Sequence, residues 1–507
     1  MPFLLLAVLL AVLARRALLA RAQHTRLPPG PKASWFGAVD LPKEYQWLTY
    51  AKWKQLYGDV IYIHIFGNPI VVLNSAEAVN DLFEKRSAIY SSRPVRTMIN
   101  EVIGFDWLFS SMPYGPWWKR HRALFHQNFN STNLPSAQPV VQRETQTLLR
   151  NLVESPDQLF YHVKRSSAAI VMMMSYGHQI APEGDMYVNI ADKALAGLAG
   201  AGIFGTYLVD YLSFLKHIPA WFPGASFKRQ AAEWRQMNRS MLNLPFDMVK
   251  QRMAVGTAVP CFVVNELERL FVVGGDDEEE KLIKNVAATV YAAGADTTVS
   301  ATLSFFLATM VHPEIQVKAQ AQIDKVIGSD RLPTFEDRES LPYIDCIVWE
   351  CLRWNPVTPL GLARKVTEDD EYRGYKIPKN TTVLPNVWLI LHEEKMYPEP
   401  LRFNPDRFAD DKRNSALGIN ELPLAAFGFG RRMCPGRWLA FETVWLTVAT
   451  TLAAFNISKP KDDQGNVIEP DTNYTPASLS RPKPFKCSIM PRSDRAIALV
   501  HQAYDGA

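Results

Sequence analysis

The chain has 507 residues, 48% hydrophobic and 21% charged, an ordinary globular mixture that can bury a core, with no internal repeat or long low-complexity tract. A net charge of +4 on this length, with no extended basic stripe, excludes a nucleic-acid-binding role. The five cysteines (Cys261, Cys346, Cys351, Cys434 and Cys487) lack paired metal-ligand spacing, and the ten histidines form no His-x-x-x-His cluster. This argues for a reducing compartment and against a disulfide framework, a zinc site or a histidine-held metal.

Residues 3–14 are an uninterrupted apolar run, followed by Arg15, Arg16, more apolar residues, Arg21 and Arg26. A cleaved signal peptide carries its charges before the apolar core. Here the order is reversed, so residues 1–22 are expected to anchor the chain in a membrane with its bulk on the cytosolic side. The run is short of the ~20 residues of a full span, so Arg15 and Arg16 would snorkel or the anchor lies shallow. Residues 23–34, with Leu27-Pro-Pro-Gly-Pro31, read as a stiff hinge before a body at 35–507.

Residues 60–66 and 69–73, rich in β-branched and aromatic types and separated by Gly67 and Asn68, predict a hairpin. Amphipathic patterns over 75–90, 115–130, 140–175, 185–215, 226–252, 281–311, 313–327, 340–355 and 437–455 predict helices. The fold class is therefore mainly α with a minor β-sheet region. In the second pattern Trp118 and Arg122 stand one turn apart, an indole N–H and a guanidinium that could reach one carboxylate; the competing reading is a basic surface helix.

Asp276-Asp-Glu-Glu-Glu280 reads as a solvated acidic loop just before the longest helical pattern, where acidic residues suit a helix start. Residues 286–311 are apolar on every side and carry one charge, Asp296; their alanines, threonines and serines fit a helix through a large core better than a second membrane span. Within it lies Ala293-Gly-Ala-Asp-Thr-Thr298. Gly294 costs about 1 kcal/mol against alanine in a helix, which suggests that something approaches the backbone closely. Asp296 beside the hydroxyl of Thr297 is either a proton carrier or a satisfied aspartate in a kink. Glu350-Cys-Leu-Arg353 sets opposite charges three apart on a helix, by itself a common surface pair, and Arg364 and Phe403-Asn-Pro-Asp-Arg-Phe408 follow.

Phe427-Gly-Phe-Gly-Arg-Arg-Met-Cys-Pro-Gly436 is the most informative stretch. Gly428, Gly430 and Gly436 are expected to let the backbone turn tightly and approach a flat cofactor. The periodic helix that follows puts the sulfur of Cys434 at a helix N-terminus, which favours an anion, and Arg432 supplies a cation for a carboxylate. Phe427, Gly430, Arg432, Cys434 and Gly436 match Phe-x-x-Gly-x-Arg-x-Cys-x-Gly, the haem-binding pattern of the cytochrome P450 family. Five fixed positions meet by chance in about one in ten thousand chains of this length. The chain resembles that family from its anchor to the cysteine loop. It is most similar to fungal secondary-metabolism members of the O-methylsterigmatocystin oxidoreductase-like group, notably in Ile218-Pro-Ala-Trp-Phe-Pro-Gly224 and Tyr372-Arg-Gly-Tyr-Lys-Ile-Pro-Lys379.

The resemblance implies the cytochrome P450 fold over 35–507, with haem b between the long central helix and the cysteine-ligand loop. It implies Cys434 as the iron ligand, with Trp118, Arg122, Arg364, Phe427, Arg432 and Gly436 holding the haem. Asp296 and Thr297 would guide protons during oxygen activation, and Glu350, Arg353 and Arg407 would form a buried structural triad. The implied reaction inserts one atom of O2 into a hydrophobic or aromatic small molecule, most simply a hydroxylation in fungal secondary metabolism. No flavin or nicotinamide domain is evident, so electrons would come from a separate NADPH-cytochrome P450 reductase, with Arg431 and Arg437 suited to an acidic partner. The implied location is the endoplasmic reticulum membrane, the catalytic domain on its cytosolic face. By analogy the pocket draws on residues 102–109, 202–208, the helix around Ala293, and 357–362. Trp221, Phe222 and Phe227 read equally as a membrane-dipping or access element and as core. Many relatives have His-Arg-Asp where this chain has His392-Glu-Glu, a change in local pairing that removes no haem ligand. Two rival functions remain open: a reductase-independent isomerase or dehydratase of the same fold, against which the intact Asp296 and Thr297 argue, and a non-enzymatic haem sensor or electron carrier.

Overall fold

The structure, a computed structural model, describes residues 27–34, 39–203, 205–409 and 419–505. The anchor expected over 1–22 and the first residues of the hinge lie outside them. The later part of the Pro-rich stretch is docked on the body. The Pro29 carbonyl accepts the Tyr62 N–H at 2.9 Å, and a Cβ on Gly30 would lie 1.9 Å from the Tyr62 carbonyl oxygen, so glycine alone lets the chain lie this flat against a strand.

That strand is β1 (Val60–Ile65), which pairs antiparallel with β2 (Asn68–Leu73). The hairpin turns at Phe66 and Gly67, whose φ values are 46° and 83°, one residue earlier than Gly67 and Asn68; a two-residue turn matched to strand twist needs positive φ at both central positions. Further strands are β3 (Arg364–Lys365), β4 (Asp370–Tyr372), β5 (Tyr375–Ile377), β6 (Thr382–Pro385), β7 (Phe455–Ser458) and β8 (Ser488–Pro491). The larger sheet has the order β1-β2-β6-β3, with β2 and β6 parallel. The pairs β4–β5 and β7–β8 are separate ribbons.

The main helices are α1 (Gln46–Tyr57), α2 (Pro116–Asn128), α3 (Leu134–Glu154), α4 (Leu159–Tyr176), α5 (Met186–Gly202), α6 (Ser226–Ala254), α7 (Phe262–Val273), α8 (Asp277–Val311), α9 (Pro313–Val326), α10 (Pro342–Trp354), α11 (Arg437–Ala454) and α12 (Asp494–Asp505). The pattern at 140–175 is two helices, separated near Pro156, whose missing N–H cannot continue α3. The pattern at 185–215 stops at Gly202 and gives way to short turns. At α8, Asp276 caps the first turn by accepting the Glu279 N–H at 3.0 Å. The acidic stretch is thus largely helical, with Asp277 to Glu280 in the first turn against the positive dipole end.

Two large apolar clusters share α8. One gathers its C-terminal half with α10 and α11 around Phe305, Phe306, Ile347, Trp445 and Val448. The other gathers its N-terminal half with α4 to α7 and the segment 98–112, around Ile103, Phe105, Trp107, Phe246 and Tyr291. Such all-round burial explains why α8 shows no polar face. Among the described residues no helix is long and apolar enough to cross a membrane, which removes the second-span reading of 286–311.

Candidate active site

The cysteine loop closes on itself before α11 begins. The Cys434 N–H donates to the Phe427 carbonyl at 2.7 Å. Gly428 and Gly430 have φ of 84° and 50°, and a Cβ on Gly430 would meet the Phe83 carbonyl oxygen at 2.3 Å. These two glycines do the turning. Gly436 does not: its φ is −86°, and a Cβ there would meet its nearest neighbour, Phe125, at an ordinary 3.8 Å. Its contribution is its N–H, which hydrogen-bonds the Cys434 sulfur at the start of α11. Burial pushes the thiol above its ordinary pKa against the pull of that N–H, Arg122 and Arg437. The electropositive surroundings are therefore insufficient alone, and the thiolate needs a metal on the sulfur.

Beside the loop lies a cluster of cations whose nearest carboxylate, Glu84, accepts the Gly430 N–H and acts on Arg364 without pairing directly with it. Arg432 is buried, donates from Nε to the Ser91 carbonyl and from Nη2 to the Met112 carbonyl, both at 2.7 Å, and lies 4.0 Å over the Trp118 ring. Arg364, also buried, donates to the Phe429 carbonyl and covers the Phe83 ring at 4.1 Å. Arg122 donates to the Met433 carbonyl at 2.7 Å. A fourth guanidinium, Arg93, holds the Ser110 carbonyl at 2.9 Å and the Leu362 and Ala363 carbonyls at 2.5 and 2.7 Å. Among the described residues none of these four makes an ion pair. Burial, then mutual repulsion, presses Arg432 down to about 8, and burial with the neighbouring Arg93 presses Arg364 to about 9. Burial holds Arg93 at about 10 and lowers Arg122.

Two nitrogens, Arg364 Nη1 and Arg432 Nη1, are buried with no hydrogen-bond partner. Buried donors are rarely left so unless a ligand takes them. A flat group carrying two carboxylates supplies the missing acceptors and the missing negative charge. The residues present therefore fit an iron porphyrin whose propionates reach the arginines and whose metal reaches Cys434.

Across α8, Ala293 is exposed although it stands midway along the helix, so an opening reaches the helix there. Thr297, one turn on, donates its hydroxyl to the Ala293 carbonyl at 2.7 Å. Gly294 faces elsewhere. A Cβ on it would meet Val171 Cγ1 at 2.4 Å, so this glycine exists for the close approach of α4, not of a cofactor. Asp296 is likewise not hydrogen-bonded to Thr297; its Oδ1 accepts from Arg481 Nη1 at 3.1 Å, with side-chain exposures of 20% and 48%.

Glu350, Arg353 and Arg407 come together as the resemblance implies. Arg353 grips both Glu350 oxygens at 2.7 and 2.8 Å, Arg407 Nε reaches Glu350 at 3.1 Å, and the Asn404 N–H donates to Glu350 at 2.7 Å. Glu350 and Arg353 are fully buried. Arg353 also donates to the Leu391 carbonyl at 2.9 Å, next to His392, which stacks on Trp388 at 4.2 Å. In the departing sequence after His392, Glu394 is exposed and Glu393 half-buried, so the change falls on an outer turn. Arg93 and Arg481 went unnoticed in the sequence. Both act on partners distant in the chain, and a lone arginine in a loop carries no spacing that marks it.

A family model described as cytochrome P450 matches residues 28–489. The chain is 43% identical over 480 residues to cytochrome P450 monooxygenase 98 of Postia placenta, covering 94% of this chain and 92% of that protein. It is 39% identical over 499 residues to cytochrome P450 monooxygenase ARMGADRAFT_974139 of Armillaria gallica, covering 97% of each. It is 40% identical over 490 residues to cytochrome P450 monooxygenase claR of Ampulloclitocybe clavipes, covering 95% and 90%.

Proposed function

The chain belongs to the cytochrome P450 family, an oxygen-incorporating oxidoreductase by that membership, and from that premise we propose that it hydroxylates a hydrophobic or aromatic small molecule in fungal secondary metabolism. When bound, the haem would supply the oxygen chemistry, which the thiolate of Cys434 would promote by donating electron density. The protein's own residues do the rest. Cys434 would hold the iron, and Arg364 and Arg432, steadied by Arg93, Arg122 and Trp118, would take the propionates. Thr297 keeps a hydroxyl proton at the opening beside Ala293, and Asp296 is the carboxylate through which protons are replenished once Arg481 releases it. Glu350, Arg353 and Arg407 lock α10 to the 402–407 turn and carry no chemistry.

The observation that carries this reading is the pair of unpartnered buried guanidinium nitrogens beside the cysteine loop. Electrons are proposed to come from an NADPH-dependent reductase. Arg431 is exposed on that side and donates to the Tyr114 hydroxyl at 2.9 Å, whereas Arg437 is occupied with the Cys434 carbonyl at 3.1 Å. An anchor at residues 1–22 in the endoplasmic reticulum membrane, body on the cytosolic face, is supported by exposed Trp221 and Phe222; Phe227 packs inward. The test is a carbon monoxide difference spectrum of the reduced, full-length protein. The strongly red-shifted Soret band of thiolate ligation is expected, and Cys434→Ala is expected to abolish it together with substrate-dependent NADPH consumption when reductase is added. A band that survives the substitution overturns the assignment.

A further inference from the structure

The cysteine loop receives a carboxylate from a residue 346 positions earlier in the chain. Glu84 lies in the π-helical turn Asn80–Lys85, in which Leu82 and Phe83 are buried and Glu84 is exposed. Its Oε1 accepts the N–H of Gly430. The carbonyl of the same peptide group, that of Phe429, accepts from Arg364 Nη2 and from the Arg432 N–H. One peptide unit is thus gripped by an anion at its N–H and by a cation at its oxygen. Charge-assisted bonds joined through one peptide polarise and strengthen each other.

The surroundings of the turn leave Glu84 to this contact. Arg364 covers the Phe83 ring at 4.1 Å, and that ring lies 6.2 Å from the ring of Phe429, so two consecutive residues hold the two ends of the clamp. The next two cations in the chain are engaged elsewhere, Lys85 with Asp81 and Arg86 with Asp370, both at 2.8 Å. The close approach depends on Gly430, whose φ is 50° and on which a Cβ would lie 2.3 Å from the Phe83 carbonyl oxygen and 3.3 Å from Glu84 Oε2. Burial, then Arg93, press Arg364 away from its charged form, and Glu84 acts against both. The carboxylate therefore fixes the carbonyl on which Arg364 rests while Nη1 stays unpartnered. It also sets a negative charge against the four arginines beside Cys434.

We propose that Glu84 is a positioning residue which, through the Phe429–Gly430 peptide, orients Arg364 for a haem propionate and holds down the reduction potential of an iron on Cys434. The inference rests on the haem reading of the site. Glu84 acts through the loop and not on reacting atoms. A negative charge near the iron disfavours an added electron, so removing it raises the potential, and because Glu84 is exposed, water and salt screen part of the effect.

Potentiometric titration of the full-length haem protein at low ionic strength tests this with variants that separate charge from reach. Glu84→Gln keeps an oxygen for the Gly430 N–H but carries no charge. It is expected to retain the thiolate carbon monoxide band and to move the ferric–ferrous equilibrium about threefold toward ferrous, about 30 mV at 59 mV per tenfold for one electron. Glu84→Asp keeps the charge but falls a methylene short. Its potential is expected to stay near that of the unmutated protein while the amides of 428–434 exchange hydrogen about tenfold faster. Glu77→Gln neutralises an exposed carboxylate of the same region, paired with Arg373 at 2.8 Å, and should move the equilibrium less than half as far as Glu84→Gln. An unmoved potential in Glu84→Gln with the band intact overturns the proposal. So does an equal shift in Glu84→Asp, which would place the effect in loop geometry, or in Glu77→Gln, which would make Glu84 one surface charge among many. Unchanged exchange in Glu84→Asp removes the orienting role. Absence of the thiolate band in the unmutated protein would instead strike the haem reading itself and carry this inference down with it.

Discussion

Charge is handled in opposite ways on the two sides of α8. Toward the sulfur, Glu350, Arg353, Arg364 and Arg432 are all but sealed from water, and their guanidiniums are held by backbone carbonyls from distant parts of the chain. Toward Ala293, the Asp296–Arg481 pair is partly exposed and α8 turns an exposed alanine outward. The sulfur side is built once and kept. On the other side the Asp296–Arg481 pair stands partly in water, which suits a surface that would have to admit, enclose and release a molecule.

The largest expected effect strikes the permanent side. Glu350→Gln keeps the shape but leaves Arg353 and Arg407 without their counter-charge in a dry interior, which is expected to cost about 3–5 kcal/mol. Urea unfolding should show this, together with loss of bound haem. A cost below about 1 kcal/mol, typical of surface pairs, would erase the contrast between the two sides.

At the junction, His121 links α2 to α8. Its Nδ1 sits 2.8 Å from the Trp117 carbonyl and its Nε2 3.2 Å from the Asn285 amide, and burial drives its pKa from 6.5 down to about 4. The folded chain therefore keeps it neutral while the unfolded chain takes up a proton below pH 6.5. Its contribution is whole above that pH and drains away as pH falls toward 4, by about 3 kcal/mol at most. Unfolding free energies at pH 7 and pH 4 should differ less in His121→Gln than in the unmutated chain by roughly that amount; equal differences would refute the linkage.

The smallest effect falls on the distal half of α8. Gly294→Ala gains about 1 kcal/mol of helix propensity but drives a methyl against Val171 Cγ1, 2.4 Å from the new Cβ, at a cost of about 1–3 kcal/mol. A net loss of about 1 kcal/mol is expected, and adding Val171→Ala should recover part of it. If the glycine instead served the cofactor, haem retention would fall and the second substitution would restore nothing.

What was legible in the sequence follows the same division. A thiolate ligand, its glycine turn and a cation for a carboxylate must occur at fixed spacing, so Cys434, Gly430 and Arg432 announce themselves. Glu350 and Arg353 sit one turn apart and were visible as a pair, while Arg407 required the family resemblance. Arg93 and Arg481 were illegible because their partners are carbonyls or a single carboxylate tens to hundreds of residues away, placed by tertiary packing alone. Gly294 was legible as a close approach but not as to what approaches, since a helix and a cofactor make the same demand on a missing side chain. Among elements, α1 was missed because its apolar and aromatic residues form no continuous stripe, and α7 because Phe271, Val272 and Val273 at its end are exposed, against the usual pattern.

The two idle nitrogens on Arg364 and Arg432 carry a last consequence, for assembly. The folded chain holds four crowded cations that repel one another, so on the proposed haem site a doubly acidic macrocycle would be selected by ionisation as well as by outline. A porphyrin with esterified side arms would match the contour and still be turned away.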